Sequence, residues 1–139
     1  MLRDEQYSLY DEFAKRHGWS MKTLLVVNAL FYAKDGMTQR DICLRTFQSK
    51  QAVSQIVKKL SAEGYVAARE GRGDKREKIV ELTVAGRAHF ECPIRHITIS
   101  EDKAMAEFTP EEQELLVSLP LRFTSMLKDL FDENHEGKE

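Results

Sequence analysis

Five polar side chains recur at helical spacing in the segment KQAVSQIVKKL, residues 50–60. They are Lys50, Gln51, Ser54, Gln55 and Lys58. Glutamine both donates and accepts hydrogen bonds, so Gln51 and Gln55 can each form a bidentate pair with an adenine edge in the major groove of DNA. Ser54 lies on the same face, and the two lysines can neutralise phosphates. This segment therefore has the chemistry to recognise double-stranded DNA, and a merely solvated polar face is the alternative.

A second segment, REGRGDKREK at residues 69–78, consists of eight charged residues and two glycines. The sequences YVAARE and KIVELT on its two sides predict short strands, because their apolar positions are β-branched or aromatic. Two strands joined by a glycine-containing loop form a hairpin. The minor groove of DNA is narrow and negative, so a thin cationic tip can enter it, and the candidates are Arg72, Lys75 and Arg76. A charged hairpin that merely avoids edge pairing is the alternative.

Charge is distributed unevenly along the 139 residues. The formal net charge is −2, yet residues 38–78 hold ten basic against five acidic residues, a net of +5. Residues 1–37 are neutral, and residues 79–139 carry a net of −7. A basic middle within an acidic chain is typical of a polyanion-binding surface, with chance fluctuation as the alternative.

Two short helices are expected to position the polar face. Thr38 is a candidate N-cap of TQRDICLRTF, and Ser49 of KQAVSQIVKKLSAEGY, which ends at Gly64. Two helices joined this tightly form a helix-turn-helix, and the hairpin makes it a winged helix. The helix N-termini at Thr38 and Ser49 also present backbone N–H groups suited to phosphate oxygens.

Two helices are predicted before this region. The first ends at Gly18, a candidate C-cap. The second begins at the N-cap Ser20 and continues to Gly36. Its apolar residues cover much of the circumference, so we expect it to be deeply buried.

Two long helices are predicted after the hairpin. Thr83 caps the first, which should bend or break near Pro93. Thr109 caps the second, with Pro110 in the first turn and a kink at Pro120. The terminal helices have apolar faces too wide for one winged helix to cover, which indicates a homodimer.

From about residue 19 to residue 90 the chain resembles a MarR-family transcriptional regulator. The resemblance rests on KKLSAEGYV, on the pattern D-x-R at Asp74 and Arg76, and on LTVAGR after the second strand. It implies one domain over residues 1–139, mainly α with a small β-hairpin wing, with a winged helix-turn-helix at 36–90 and dimerisation helices at 1–19 and 91–139. It also implies a homodimer on a pseudo-palindromic DNA operator, with Arg76 in the minor groove and Asp74 orienting it. Gln55 departs from the arginine of many members, and the match weakens after Phe90.

The sequence gives little support to other classes of function. Neither a glycine-rich phosphate loop nor a nucleophile elbow is present, so we expect no enzyme and no cofactor. The longest apolar run, LLVV, is too short for a membrane span, and two cysteines make no disulfide framework, which favours the cytoplasm.

Three alternatives remain open. His89, Cys92 and His96 share one face of an unbroken helix and could bind a metal, although we assign no metal site. Cys43 or Cys92 could be a redox switch. A winged helix can also serve protein–protein interaction without a specific DNA site. The sequence does not name an effector, an operator or target genes, and does not separate a repressor released by a small ligand from an activator.

Overall fold

The computed structural model describes residues 2–71, 73 and 77–136. The chain divides into two compact units, residues 1–95 and residues 96–139. The elements in chain order are α1 (Leu2–Arg16), α2 (Met21–Tyr32), β1 (Met37–Thr38), α3 (Gln39–Thr46), α4 (Lys50–Ala62), β2 (Val66–Glu70), β3 (Lys78–Leu82), α5 (Val84–Met105) and α6 (Pro110–Glu136). The mainly α fold with a small antiparallel sheet, predicted from the sequence, is confirmed.

Helix α2 forms the centre of the first unit. Ser20 caps it by accepting a hydrogen bond from the backbone N–H of Thr23, at 3.1 Å. Six of its twelve residues are buried, which confirms the predicted burial: Leu24, Val26, Val27, Ala29, Leu30 and Phe31. Burial on several sides is what a helix with apolar residues around most of its circumference requires.

The predicted end of α2 at Gly36 was wrong. The helix ends at Tyr32, because Ala33 has extended backbone angles. Gly36 instead lies where the chain approaches β3, with φ +76. A Cβ atom at this position would lie 2.7 Å from the carbonyl oxygen of Val80, so only glycine permits the approach.

That approach places a third strand in the sheet, which the sequence did not predict. Strand order is β1-β3-β2, with both pairs antiparallel. Met37 of β1 pairs with Val80 of β3, and the register of the hairpin runs from Val66↔Leu82 to Glu70↔Lys78. The hairpin predicted from YVAARE and KIVELT is therefore present, and β1 fixes its base to the start of α3.

Thr83 links the first turn of helix α5 to the end of the α4–β2 connection. The hydroxyl of Thr83 donates to the carbonyl of Gly64 at 2.7 Å and accepts from the backbone N–H of Gly86 at 3.0 Å, which confirms the predicted cap. A Cβ at Gly86 would lie 2.0 Å from the carbonyl oxygen of Tyr65, so the helix packs directly on that backbone. The helix does not break at Pro93 and runs without interruption to Met105.

In the second unit, α6 begins with a reciprocal capping box. The backbone N–H of Glu112 donates to the Thr109 hydroxyl, and the N–H of Thr109 donates to the Glu112 carboxylate, at 3.2 and 2.8 Å. The helix continues through Pro120. Large apolar side chains of α6 are 45–66% exposed in the single chain: Leu115, Leu116, Val117, Leu119, Leu121, Phe123, Met126, Leu130 and Phe131. Single exposed apolar residues are ordinary on a protein surface, whereas this many on one helix indicate a contact surface.

Candidate DNA-binding interface

Helix α4 presents the polar face that its sequence predicts. Lys50, Gln51, Ser54, Gln55 and Lys58 are all exposed. On the other side, Val53, Val57 and Leu60 are buried and Ile56 is half-buried. Within the described part of the chain, none of the five polar side chains makes a hydrogen bond or ion pair with another residue. Their donors, acceptors and charges are therefore directed to solvent, where a ligand can use them.

The N-terminus of α4 is fixed by its cap. The Ser49 hydroxyl accepts from the backbone N–H of Ala52 at 3.1 Å, as the sequence predicts. Thr38 caps α3 in the same way, by accepting from the N–H of Asp41 at 3.0 Å. Both hydroxyls are engaged in capping. An anion would therefore interact with the backbone N–H groups at the positive N-terminus of each helix.

Further basic side chains are exposed on α3 and α4. Arg40 and Arg45 are exposed on α3, and Lys58 and Lys59 are exposed near the end of α4. Thr46, between the arginines and α4, is buried, and its hydroxyl donates to the Ile42 carbonyl at 2.7 Å. Charge is therefore kept at the surface while the helix-turn-helix interior is apolar, an arrangement suited to phosphate contacts.

The tip of the hairpin carries the remaining predicted site residues. Arg72, Asp74, Lys75 and Arg76 lie outside the described residues. The loop closes with the backbone N–H of Gly71 donating to the Glu77 carbonyl at 3.1 Å. The wing interpretation of the tip therefore stays a prediction, supported by the strands that lead to it.

Arg69 has a role that we did not predict from the sequence, where it is one more basic residue of the segment 69–78. Its guanidinium donates to the carbonyl of Asp35 at 2.9 Å and pairs with the Glu81 carboxylate at 3.3 Å. Asp35 precedes β1, and Glu81 belongs to β3. Arg69 therefore ties β2 across the sheet to the α2–β1 turn and positions the wing. A sequence signal for this role exists: in the hairpin register Arg69 of β2 lies opposite Ile79, two residues from the acidic Glu81 of β3, a diagonal position from which the two side chains can pair.

The histidines and cysteines do not form a metal site in the described residues. No group of three or more His, Cys, Asp or Glu side chains there is arranged to hold a metal ion. The ring of His89 instead stacks on Tyr65, with centroids 4.3 Å apart and planes at 7°. The metal hypothesis for His89, Cys92 and His96 thus gains no geometric support. Cys43 is half-buried and Cys92 exposed, both as free thiols.

Among the described residues, no helix is both long enough and apolar enough to cross a membrane.

Similar proteins share this fold. The protein NMB1585, a MarR family regulator from Neisseria meningitidis, superposes with a TM-score of 0.81 at 21% identity, over 94% of this chain and 92% of that one. MepR of S. aureus, solved in complex with DNA, superposes with a TM-score of 0.67 at 20% identity, over 92% of this chain and 95% of that one.

Sequence comparison finds related regulators. Residues 21–77 match the MarR family. The HTH-type transcriptional regulator YcgE of Bacillus subtilis (strain 168) is 28% identical over 100 residues, covering 72% of this chain and 62% of YcgE. Another regulator of that organism, YwoH, is 32% identical over 78 residues, 56% of each chain. The chain thus spans less than two thirds of these two relatives. The fold is the one seen in solved MarR family regulators.

Proposed function

We propose that this chain is a MarR-family winged helix protein and a sequence-specific DNA-binding transcriptional regulator. It binds a pseudo-palindromic operator as a homodimer. The observation that carries this proposal is the exposed polar face of α4, which lies opposite a buried apolar stripe and beside the basic residues of α3. A structure of MepR with DNA supports it, because the same fold binds DNA there.

Each residue of the face has a distinct role in this proposal. Gln51 and Gln55 read base edges, with Ser54 between them, while Lys50 and Lys58 neutralise phosphates. Thr38 and Ser49 direct helix N-termini at the backbone of DNA. In the wing, Arg76 enters the minor groove with Asp74 orienting it, and Arg72 and Lys75 contribute charge.

Dimerisation follows from the apolar side chains of α6 and from the geometry of the major groove. One recognition helix contacts few base pairs, whereas a twofold dimer doubles the site and its specificity. Burying the exposed apolar side chains of α6 against a second copy supplies the driving force.

Regulation by a small ligand is the finer part of the proposal. A ligand that binds better to a dimer with the wrong half-site spacing shifts the population away from DNA. The protein then acts as a cytoplasmic repressor that its effector releases.

The test is selection of DNA fragments by the purified full chain, followed by titration of the selected site. We expect a site with two related half-sites. Gln55→Ala should weaken binding by about 1–3 kcal/mol and relax the preference at one base pair, and Arg76→Ala should weaken it by a similar amount. If the selected pool has no sequence preference, the protein–protein interaction module becomes the better description. If a site is found but neither substitution affects it, the assignment of the contacts is wrong.

A further inference from the structure

Phe47 combines high exposure with a backbone conformation that phenylalanine rarely adopts. It lies in the turn between α3 and α4 and is 86% exposed, a value that only Val84 exceeds among the large apolar side chains of the described residues. Its backbone has φ 55 and ψ 39, the αL region, in which the Cβ of an L-residue is penalised. Among the described residues it is the one non-glycine residue with a positive φ. Glycine or asparagine would serve a helix C-terminus better.

The turn that carries this ring is held firmly. The backbone N–H groups of Phe47 and Gln48 both donate to the carbonyl of Cys43. The side-chain amide of Gln48 donates to the carbonyl of Lys22 at 3.1 Å, which ties the turn to the start of α2. The ring is therefore presented from a fixed position and not on a loose loop.

That position adjoins the proposed DNA-reading surface. Phe47 precedes Ser49, the N-cap of α4, by two residues. The exposed basic residues Arg45 and Lys50 lie on either side of it in the sequence. In helix-turn-helix proteins the N-terminal residues of the second helix contact base edges in the major groove. The turn before that helix is at the same end and approaches the same groove.

The chemistry of the groove identifies a partner for an aromatic ring. A phenyl group beside a phosphate removes water from it without offering a hydrogen bond, and charged neighbours already serve the phosphates. The apolar group that base edges present in the major groove is the C5-methyl of thymine, which phenylalanine can contact.

We propose that Phe47 is a specificity-determining residue that packs its ring on a thymine methyl group in each half-site of the operator. The proposal rests on the proposed function, because it assumes that α4 enters the major groove. It adds apolar readout of a methyl group to the hydrogen-bonding readout by Gln51 and Gln55.

The test compares Phe47→Gly, Phe47→Asn and Phe47→Leu with the wild type, in thermal unfolding and in titration of the selected operator. Phe47→Gly and Phe47→Asn should keep or raise the melting temperature, because both residues tolerate αL. Both should weaken operator binding on the order of tenfold. Phe47→Leu keeps an apolar side chain and should stay within about threefold of the wild type. The slope of affinity against salt should not change, since no charge is lost, whereas Lys50→Ala should reduce it.

Uracil in place of thymine, one position at a time, identifies the contact. One position in each half-site should weaken the wild type but leave Phe47→Gly unaffected, since the ring that senses the methyl is gone. Operator binding by Phe47→Gly as tight as that of the wild type overturns the inference, as does a loss of affinity that parallels a fall in melting temperature. Indifference of the wild type to every uracil also overturns it. A wild type that prefers no DNA sequence at all contradicts the proposed function itself, and the wild-type titration alone reveals that outcome.

Discussion

At the scale of single residues, Gly86 shows how one missing methyl group determines where a helix docks. A Cβ there would lie 2.0 Å from the carbonyl oxygen of Tyr65 and 2.8 Å from its carbonyl carbon. Both are backbone atoms of the segment that leads into β2, so they cannot rotate away as a flexible side chain can. The start of α5 and the base of the wing must separate if any side chain is added.

Gly86→Ala should therefore lower the free energy of unfolding by about 1–3 kcal/mol, the usual cost of overpacking, despite the better helix propensity of alanine. Urea denaturation measures it. The matched control is Ala88→Ser, which adds one heavy atom to an exposed position two residues further along α5 and should stay within about 0.5 kcal/mol of the wild type. Equal stabilities of the two variants would contradict the close packing at Gly86.

Thr83 joins the same two segments through its hydroxyl. Thr83→Val keeps the shape of the side chain but removes both the cap of α5 and the donor to the Gly64 carbonyl. We expect a loss of about 1–2 kcal/mol in the free energy of unfolding, again by urea denaturation. Thr83→Ser keeps the hydroxyl and should recover most of that loss. A serine variant as unstable as the valine variant would show that the methyl group, and not the hydroxyl, matters.

At the scale of elements, the wing depends on the tie that Arg69 makes from β2 to β3 and to the α2–β1 turn. The ion pair with Glu81 is about half exposed, so it contributes little to global stability. Its effect is local, because β2 is an edge strand with β3 as its neighbour in the sheet.

Arg69→Gln should leave the free energy of unfolding within about 1 kcal/mol of the wild type and yet speed amide hydrogen exchange along β2 and β3. Hydrogen exchange followed by NMR measures both the free energy of unfolding, from the slowest amides, and the local exchange rates along β2 and β3. Lys78→Gln removes a positive charge from β3 of the same hairpin, next to its loop, and serves as the control, with exchange expected at the wild-type rate. Faster exchange in both variants would show that the loss of any positive charge loosens the hairpin, and not specifically the loss of the contacts of Arg69 with Asp35 and Glu81.

Elements that rest on local signals were predicted well. Ser49 and Thr109 stand before apolar periodic segments, and both cap the helices expected of them. The sequence did not predict β1, since a two-residue strand has no periodicity and exists only because Gly36 allows the chain to approach β3. A break at Pro93 was one expected outcome, but a helix can continue past a proline at the loss of one backbone hydrogen bond.

The candidate site was predictable in part for the same reason. The exposed face of α4 follows from periodicity alone, so Gln51 and Gln55 could be named from the sequence. Phe47 could not, because its αL backbone is usually a feature of glycine or asparagine and no pattern marks it. Arg69 was counted as surface charge, because its partners at Asp35 and Glu81 meet only in the folded sheet.

At the scale of the whole molecule, the proposed homodimer rests on the exposed apolar side chains of α6. Phe123 is 64% exposed in the single chain, in the middle of the apolar series of this helix. Phe123→Glu should give a monomer by light scattering and lose most of its operator affinity, because each half-site then binds alone. Arg122→Gln changes the neighbouring exposed residue and should remain a dimer. A Phe123→Glu protein that stays dimeric would place the interface elsewhere.

The salt dependence of DNA binding also belongs to this scale. Lys50→Ala removes the proposed phosphate contact from each protomer, so the slope of log K against log salt should become less steep by about two for a dimer. Titrations at several salt concentrations measure it. Glu63→Gln, at the opposite end of α4, is a control that should not reduce the steepness. A slope that Lys50→Ala leaves unchanged would show that this lysine faces no phosphate.

The exposed apolar surface of α6 has a further consequence for how the proposed regulator responds to its own abundance. If that surface is buried between two copies, folding and association are linked, and the melting temperature rises with protein concentration. Below the dissociation constant of the dimer, occupancy of the operator increases with the square of the protomer concentration. A modest change in synthesis or degradation would then produce a steeper change in operator occupancy, so the strength of association through α6 would determine how sharply the proposed regulator responds.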